Sequence, residues 1–588
     1  MKKSLTKLFR RMEMEKMTPQ QWTQVLIQTV PKKGSCLEMD NKRGLFLTEF
    51  VSKVYEKILK SRNEAQIGQY MSNLQTGGVK KRATVDNHII LSEIIRKNRK
   101  LGKKTYIVYG DAVKCFDKLW LKDALVELYK AGCSPQDVCM IYEMNKDTEI
   151  SVVTPVGRTE KAQVGDIVKQ GTVLGPTLCC VETDQINSIG ESQMRPFGNQ
   201  VLGILVFVDD VMSAGTAEDA RKCIRNLQVM EVLKKFTYGL KKTNFMVIDT
   251  GKEQTEIIDE KVKEGLVKEC QEYEYLGFWV NQQGNCQLQI EKRSKKIKGE
   301  IAAIKSMASY HNVGPTYLNV RLQLYECCIL PSLLYNLEGW NKISKTEMKK
   351  LESVQLKSLC SLLQIPKTTP YLGLLNELGI WTIEERLKYR KIMLYHNLMN
   401  SDDKRIAKNM IVEQKLDEDD DTFYMTTMKM AKTLNMDINN VDGMTKASLK
   451  RQLKEEIGKS MLNTIRQVKM KKLRFVGVPS VFEKSPYIAQ MDAGAAIQVI
   501  KTKLNMLPIY GNYKGNLTLS RPCPLCEEVD DTTEHLVSCS KLNVKGFTSE
   551  DLKDNSNIEK WRQINELVTH NMEKRRILAG YNERDRLT

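Results

Sequence analysis

The strongest constraint on this sequence is one stretch, residues 201–215, in which an apolar run ends at two adjacent carboxylates. The run at residues 202–208 is followed directly by Asp209 and Asp210. An apolar run of this length beside glycine is typical of a buried strand. Two neighbouring carboxylates there repel each other and lose hydration, which is costly unless a cation neutralises them. The stretch therefore predicts a divalent metal site, with an ordinary Asp-rich turn as the alternative.

A second apolar run leads into another carboxylate earlier in the chain. The β-prone residues 106–109 precede Asp111. Two strands that each deliver an aspartate to one sheet edge can hold two Mg²⁺ ions about 3.5–4 Å apart, as in polymerases and nucleases. The two stretches together predict metal-dependent phosphoryl transfer. The alternative is coincidence, because acids at strand ends are common.

Length, charge and cysteine usage limit the class of protein. The chain has 588 residues, which suggests three or four domains. It carries 91 Lys and Arg against 72 Asp and Glu, and this net charge of +19 favours a polyanionic partner such as nucleic acid. No run approaches the ~18 apolar residues of a membrane span, and the basic N-terminus does not resemble a secretory signal. The 15 cysteines form no small-domain framework, which fits a reducing compartment.

A cysteine and histidine cluster near the end of the sequence has metal-ligand spacing. Cys523, Cys526, His535 and Cys539 follow the pattern C-x2-C-x8-H-x3-C. Four such ligands suit tetrahedral Zn²⁺. The chain has only five histidines, so one within this frame is informative. We therefore predict a structural Zn²⁺ site, with buried thiols by chance as the alternative.

Local patterns predict several elements around these motifs. Residues 216–238 indicate a helix that opens with a capping box of Thr216 and Asp219, and Pro176 suits the first turn of another helix. Residues 282–284 read QQG and predict the turn of a hairpin. The acidic run at residues 417–421 opens a polar segment that we interpret as a linker or flexible excursion.

Motifs spread over most of the chain resemble those of a known enzyme family. They are DAVKCFD at 111–117, QGTVLGP at 170–176, FVDD at 207–210, KT at 242–243 and YLG at 275–277. Finger-like segments at 42–44 and 77–86, a thumb-like segment at 330–340 and the Cys/His cluster flank them. In this order they resemble the reverse transcriptase of a non-LTR (LINE-type) retrotransposon. The chain departs from that family in having VLG at 173–175 where Pro-Leu-Ser is frequent.

The resemblance implies an α+β fold: a right-hand polymerase with fingers, palm and helical thumb, followed by a small C-terminal zinc-binding module. The implied domains are fingers at 1–104, palm at 105–285 with part of the fingers in 118–166, helical thumb and flexible excursion at 286–480, and a C-terminal region with the zinc module at 481–588.

The resemblance also implies a function, namely an RNA-directed DNA polymerase of the target-primed type. Its partners would be an RNA template, a DNA primer or target and deoxynucleoside triphosphates, with no membrane among them. It would act in the nucleus, with the cytoplasm as the alternative, and would not be secreted. Two alternatives stay open: an RNA-directed RNA polymerase, and a catalytically inactive retroelement remnant that binds nucleic acid. No nuclease segment is recognised, so we expect a fragment, a truncated copy or a polymerase whose endonuclease is supplied elsewhere.

The same resemblance assigns roles residue by residue. Asp111 and Asp209 would ligate two catalytic Mg²⁺ ions, with Mn²⁺ as a substitute, Asp210 would assist them, and Lys242 would protonate the pyrophosphate leaving group. The implied contacts to nucleotide and template are Phe116 as a gate against the 2′-hydroxyl, Gln170 and Gly171 in the pocket wall, and Arg43, Lys33 and Arg82 on the triphosphate.

Overall fold

The protein forms two compact units. The computed structural model describes residues 2–32, 38, 41–165, 167–189, 195–197, 200–248, 254–309, 316–417, 419–468, 473, 475–509, 522–542, 546–554 and 557–578. Unit 1 comprises Met1–Asn285, Gly339–Lys342 and Leu398–Met425, and unit 2 comprises Cys286–Glu338, Ile343–Asn397 and Thr426–Thr588. The first change of unit, after Asn285, coincides with the predicted end of the palm. The names fingers, palm and thumb stay predictions.

Unit 1 is built around a five-stranded sheet. Its strand order is β14 (Lys268–Glu269), β11 (Asn244–Ile248), β3 (Thr105–Asp111), β10 (Asp210–Gly215) and β9 (Leu205–Phe207). The first six residues of β3 are buried, because neighbouring strands and the helices α3 (Thr84–Lys100) and α8 (Ala217–Leu233) pack around it. This burial explains why its sequence is a continuous run of β-prone residues with no polar alternation.

A second sheet lies earlier in the same unit. Its order is β2 (Lys42–Leu47), β1 (Gln24–Pro31), β4 (Thr148–Thr154) and β5 (Gly157–Arg158), with β6 (Ala162–Val164) also paired to β4. The remaining strands form three hairpins: β7 (Arg195–Phe197) with β8 (Gln200–Leu202), β12 (Lys261–Val262) with β13 (Gly265–Leu266), and β15 (Glu272–Tyr275) with β16 (Phe278–Asn281).

Helices complete unit 1 and make up most of unit 2. The others of unit 1 are α1 (Lys2–Glu15), α2 (Phe50–Tyr70), α4 (Cys115–Lys118), α5 (Leu121–Lys130), α6 (Pro135–Asn145), α7 (Gly175–Thr183) and α15 (Ile406–Gln414). Those mainly in unit 2 are α9 (Gln287–Ser309), α10 (Thr316–Leu324), α11 (Leu330–Leu333), α12 (Lys345–Leu363), α13 (Tyr371–Leu378), α14 (Ile383–Met399), α16 (Phe423–Thr433), α17 (Ile438–Asp442), α18 (Lys446–Gln467), α19 (Tyr487–Gln490), α20 (Ala493–Lys503), α21 (Thr533–Leu536), α22 (Ser549–Lys553) and α23 (Ile558–Leu578). Among the described helices, none combines the length and apolarity needed to cross a bilayer.

Several predicted elements are present. The mixed α+β content agrees with the predicted fold class. Helix α8 begins with the predicted capping box, in which Thr216 and Asp219 bond each other's backbone N–H groups. Pro176 lies in the first turn of α7, where the missing N–H of proline costs nothing. Capping signals are local, which is why they could be read directly from the sequence.

The hairpin predicted around residues 282–284 is wrong. The strands that pair are β15 and β16, and their turn is formed by Leu276 and Gly277, both with positive φ. Residues from Gln287 onward are helical and belong to α9. This turn falls within the Tyr-Leu-Gly motif at residues 275–277, which was identified only through the family resemblance. The Gln-Gln-Gly signal instead precedes the start of α9.

The interpretation of the acidic segment as a linker is also wrong. Residues Leu398–Met425 belong to unit 1 and include helix α15. Two ion pairs attach this segment to α3: the buried pair of Arg405 with Asp86, at 2.6 Å, and the pair of Arg96 with Asp417, at 2.9 Å. Asp417 and Asp419 of the acidic run therefore serve as partners for Arg96, which lies far away in sequence.

Candidate active site

The three predicted aspartates meet at one end of the sheet in unit 1. Asp210, the first residue of β10, pairs directly with Asp111, the last residue of β3. Asp210 also pairs with Phe207 of β9, so Val208 and Asp209 form a two-residue turn. Antiparallel pairing therefore brings the carboxylates of two distant motifs together, as the sequence predicted.

The electrostatics of this cluster are those of an acidic site whose negative charge is only partly compensated. Burial, followed by the charge of the neighbouring Asp111, raises the pKa of Asp209 to about 6. Burial and the charges of Asp209 and Asp111 also raise the pKa of Asp210. Carboxylates that resist ionisation in this way gain most from a bound cation, because the cation removes both desolvation and like-charge repulsion.

A lysine lies at the edge of the cluster. The Nζ of Lys242 is 3.0 Å from both carboxylate oxygens of Asp111, and its side chain is 66% exposed. The backbone carbonyl of Lys242 accepts a hydrogen bond of 2.7 Å from the hydroxyl of Tyr273 on β15. The Tyr273 ring stacks on Tyr109 of β3 at a centroid distance of 4.0 Å. Tyr273 was not singled out from the sequence, although it lies two residues before the first residue of the Tyr-Leu-Gly motif.

The second sheet brings further candidate residues near the acids. Arg43 lies on β2 and is close enough to Asp209 to lower the pKa of that carboxyl. The carbonyl of Gln170 accepts a 2.8 Å hydrogen bond from the N–H of Phe46 on the same strand. A Cβ atom on Gly171 would lie 3.4 Å from the Phe46 carbonyl oxygen, so this glycine packs directly against β2.

The gate candidate and the segment after Gln170 are anchored by the unit 1 core. Phe116 lies on the short helix α4 and packs, partly buried, against that core. The N–H of Val173 donates a 2.6 Å hydrogen bond to the carboxylate of Glu56 on α2. Glu56 is a positioning contact that the sequence offered no signal for, because it lies in an unremarkable amphipathic helix.

Of the predicted triphosphate ligands, Arg82 donates hydrogen bonds to the backbone of its own loop. Lys33 lies outside the described residues. Arg82 uses its Nη1 to donate hydrogen bonds to the backbone carbonyls of Asn73, at 2.8 Å, and Gln75, at 2.9 Å. Burial also lowers the pKa of Arg82 from its ordinary value. Its geometry is that of an arginine that fastens its own loop.

The donor set fits a hard divalent ion. Three carboxylates converge, and the lysine beside Asp111 and the more distant Arg43 offset part of their charge. Mg²⁺ prefers such oxygen ligands and completes its shell with water and phosphate oxygens. Asp111, Asp209 and Asp210 are therefore the residues that would hold the ion.

The predicted zinc ligands also converge, in unit 2. The ligand atoms of Cys523, Cys526, His535 and Cys539 all lie within 4.8 Å of one another. This set of three sulfurs and one imidazole nitrogen fits a soft or borderline ion, with no carboxylate among the four.

Helix α23 supports this cluster through one arginine. The Nη2 of Arg575 is 3.4 Å from the sulfur of Cys523, and its Nη1 is 2.5 Å from the carboxylate of Asp531. A cation beside a ligand sulfur offsets the negative charge that a metal-bound sulfur carries. Sequence reasoning missed Arg575 because it lies well beyond the Cys/His spacing.

Comparison with known proteins identifies the same region. Residues 30–280 match the family model described as reverse transcriptase (RNA-dependent DNA polymerase). The chain is 22% identical over 343 residues to the RNA-directed DNA polymerase from mobile element jockey of Drosophila funebris. This alignment covers 55% of this chain and 36% of the jockey protein. It is 24% identical over 200 residues to the Pol polyprotein from the type-1 retrotransposable element R2 of Popillia japonica, covering 33% of this chain and 28% of that protein.

The chain thus spans about a third of the length of the curated relatives that it matches. Among solved structures, apo telomerase from Candida tropicalis is 11% identical, with coverage of 76% of this chain and 73% of that chain and a TM-score of 0.35. Residues 30–280, which hold all three aspartates, match the reverse transcriptase family, and the chain is similar in sequence to the reverse transcriptases of non-LTR retrotransposons.

Proposed function

We propose that this protein copies RNA into DNA from a primer 3′-hydroxyl, as the polymerase of a non-LTR retrotransposon, with Asp111, Asp209 and Asp210 as its metal-binding residues. The observation that carries the proposal is the direct pairing of Asp210 with Asp111, beside a turn that holds Asp209. The matched reverse transcriptase domain supports it. The partners would be an RNA template, a DNA primer and deoxynucleoside triphosphates, and the chromosomal target would require action in the nucleus.

The negatively charged and positively charged residues of the site have different proposed roles. Two bound Mg²⁺ ions would supply activation of the primer hydroxyl and neutralise the charge that develops on the transferring phosphoryl group. The three carboxylates hold those ions, and no side chain needs to act as a covalent nucleophile. Lys242 is proposed as the proton donor to pyrophosphate, since its ammonium is the cation nearest Asp111.

The selection of deoxynucleotides is assigned to Phe116. A bulky ring at this position would exclude a 2′-hydroxyl by steric overlap, and its partial burial against the core supports a fixed ring position. We expect the Phe116→Ala variant to incorporate ribonucleotides at least about tenfold more efficiently than wild type. This corresponds to a loss of roughly 1.4 kcal/mol of discrimination against ribonucleotides. Unchanged discrimination would remove Phe116 from the gate role and reopen the RNA polymerase alternative.

Primer extension on an RNA template tests the main proposal. The wild-type protein should extend a DNA primer with Mg²⁺, and Asp209→Asn should lose at least about a thousandfold of that rate because it removes a metal ligand. Asp259→Asn is the matched control, since Asp259 is an exposed aspartate of the same unit. Equal activity of Asp209→Asn and wild type would refute the site. A wild type that binds RNA but extends no primer would favour the inactive remnant.

We further propose that Cys523, Cys526, His535 and Cys539 bind one structural Zn²⁺. The convergence of the four ligand atoms supports this assignment. Elemental analysis of purified protein should give one zinc per chain, and Cys526→Ser should lower that content well below one. Cys327→Ser is the matched control, because Cys327 is an exposed cysteine of the same unit. Zinc-free wild-type protein with an intact fold would rule the site out.

A further inference from the structure

The turn that presents Asp209 has a strained backbone. Val208, the residue before Asp209, has a φ of 62°. A β-branched residue in this left-handed region is a conformational outlier, because its side chain crowds the neighbouring carbonyl. Such a conformation persists only where surrounding groups hold it in place. The groups that hold Val208 therefore determine where Asp209 points.

Two side chains take both polar backbone groups of Val208. The carboxamide oxygen of Gln75 accepts the Val208 N–H at 3.0 Å, and the hydroxyl of Thr183 on α7 donates to the Val208 carbonyl. The Gln75 Nε2 in turn donates to the Thr183 hydroxyl at 3.2 Å. Gln75 has no exposed surface, so water does not compete for these bonds. We call these two residues the turn clamp.

The loop that carries Gln75 is itself fixed on several sides. Gly77 approaches the turn so closely that a Cβ atom there would lie 2.2 Å from the Val208 nitrogen. The N–H of Thr76 donates to the Val206 carbonyl at 2.8 Å, which adds this loop to the edge of β9. Arg82 holds the carbonyl of Gln75, as described above. The loop is thus a rigid support for the clamp.

We propose that Gln75 and Thr183 are positioning residues that hold the Val208 turn in its strained conformation and so aim Asp209 at the metal ions. This inference rests on the proposed polymerase function. Neither residue is offered as a metal ligand, and their effect is transmitted through the backbone of Val208. Loss of either should weaken metal binding by the aspartates while the fold of unit 1 is kept.

Mn²⁺ binding to the 588-residue chain is the direct test. The electron paramagnetic resonance signal of free Mn²⁺ measures it, and the binding that Asp209→Asn retains is subtracted. Gln75→Met keeps the side-chain length and removes every hydrogen bond, and Thr183→Val keeps the shape and removes the hydroxyl. Each should raise the half-saturating Mn²⁺ concentration at least about fivefold. Each should also lower kcat of primer extension more than it changes KM for the deoxynucleotide.

Two further variants separate positioning from a general structural role. Thr148→Val is the matched control, because Thr148 is buried in the same unit and donates one hydrogen bond to a backbone carbonyl, that of Asn145, at 2.8 Å. It should change Mn²⁺ binding less than about twofold. Adding Val208→Gly to Gln75→Met should recover part of the lost affinity, because glycine adopts a positive φ without the steric penalty.

The outcomes discriminate the two proposals. Gln75→Met or Thr183→Val that is folded and binds Mn²⁺ within twofold of wild type would overturn the clamp, and so would absence of any rescue by Val208→Gly. If Gln75→Met does not fold, Thr183→Val decides. Equal Mn²⁺ binding by wild type and Asp209→Asn would also overturn it. A wild type that binds Mn²⁺ through Asp209 but extends no primer refutes the polymerase alone, and the binding series still decides the clamp.

Discussion

At the scale of single residues, the metal-free protein bears an electrostatic cost at its carboxylate cluster. The pKa of Asp209 is raised from its ordinary value of 3.8 to about 6, mainly by burial and then by Asp111. The folded state therefore binds more protons than the unfolded state between these two values. The contribution of Asp209 to the free energy of unfolding therefore falls as pH rises from 3.8 to about 6. Above about pH 6 the full destabilisation by its charge is present.

Asp209→Asn should therefore stabilise the protein in the absence of metal. We expect its Tm in chelator at about pH 7.5 to exceed that of wild type by about 2–4 °C, since asparagine carries no charge into the cluster. The difference should disappear below about pH 3, where the wild-type carboxyl is protonated in both the folded and the unfolded state. Thermal melts across this pH range, with Asp259→Asn as an exposed control, measure the effect. A variant that is less stable than wild type at every pH would contradict the electrostatic explanation.

The residues of the site divide into those that the sequence could reveal and those that it could not. Asp111, Asp209 and Asp210 were predictable because acids at the ends of apolar strands conflict with their surroundings unless a cation compensates. Arg82 seemed equally suited to a phosphate, yet its Nη1 donates to backbone carbonyls of its own loop. Gln75 and Thr183 carry no signal of their own, since their importance arises only from the backbone conformation of Val208.

At the scale of elements, Arg96 joins α3 to the segment Leu398–Met425. Its guanidinium bonds the fully buried Glu93 at 2.7 Å and Asp417 at 2.9 Å, and it also contacts Asp419. Arg96→Met would leave the Glu93 carboxylate buried with much of its compensation removed. Breaking a buried pair in this way costs about 3–5 kcal/mol. We expect a loss of this size in denaturant unfolding and faster proteolysis near residues 417–421.

Lys100→Met provides the comparison for this prediction. Lys100 also approaches Asp419, at 3.4 Å, but its side chain is 62% exposed. Exposed ion pairs contribute at most about 1 kcal/mol, so this variant should retain nearly wild-type stability and protease resistance. Similar behaviour of the two variants would mean that Arg96 does not hold the segment in place.

These ion pairs also explain why the acidic run at residues 417–421 was wrongly interpreted as part of a linker. A run of acidic residues is usually solvated, and the partners that change this one, Arg96 and its helix, lie more than three hundred residues earlier. The hairpin error has a related cause, because two turn signals lay close together at 276–277 and 282–284 and only pairing could decide between them. Elements defined by local chemistry, such as the capped helix α8, were predictable.

At the scale of the whole molecule, the net charge of +19 is the property most relevant to nucleic-acid binding. A protein that neutralises phosphates releases condensed counterions, so its affinity falls as salt rises. For single strands each contacted phosphate contributes about −0.7 to the slope of log K against log salt, and contact with about five phosphates gives about −3.5. We therefore expect affinity for a single-stranded RNA to fall about 100-fold between about 50 and 200 mM salt.

Fluorescence anisotropy with a labelled RNA measures this slope, and the backbone of the ligand supplies the control. An oligomer of the same base sequence on an uncharged backbone should bind weakly and with little dependence on salt, because it has no counterions to release. Metal variants at Asp209 should keep the slope, since this cluster concerns the reacting phosphates and not the length of the template. A slope near zero for RNA would mean that the basic excess of this chain is not directed at a phosphate backbone, and binding would then have to arise from base stacking or hydrogen bonding.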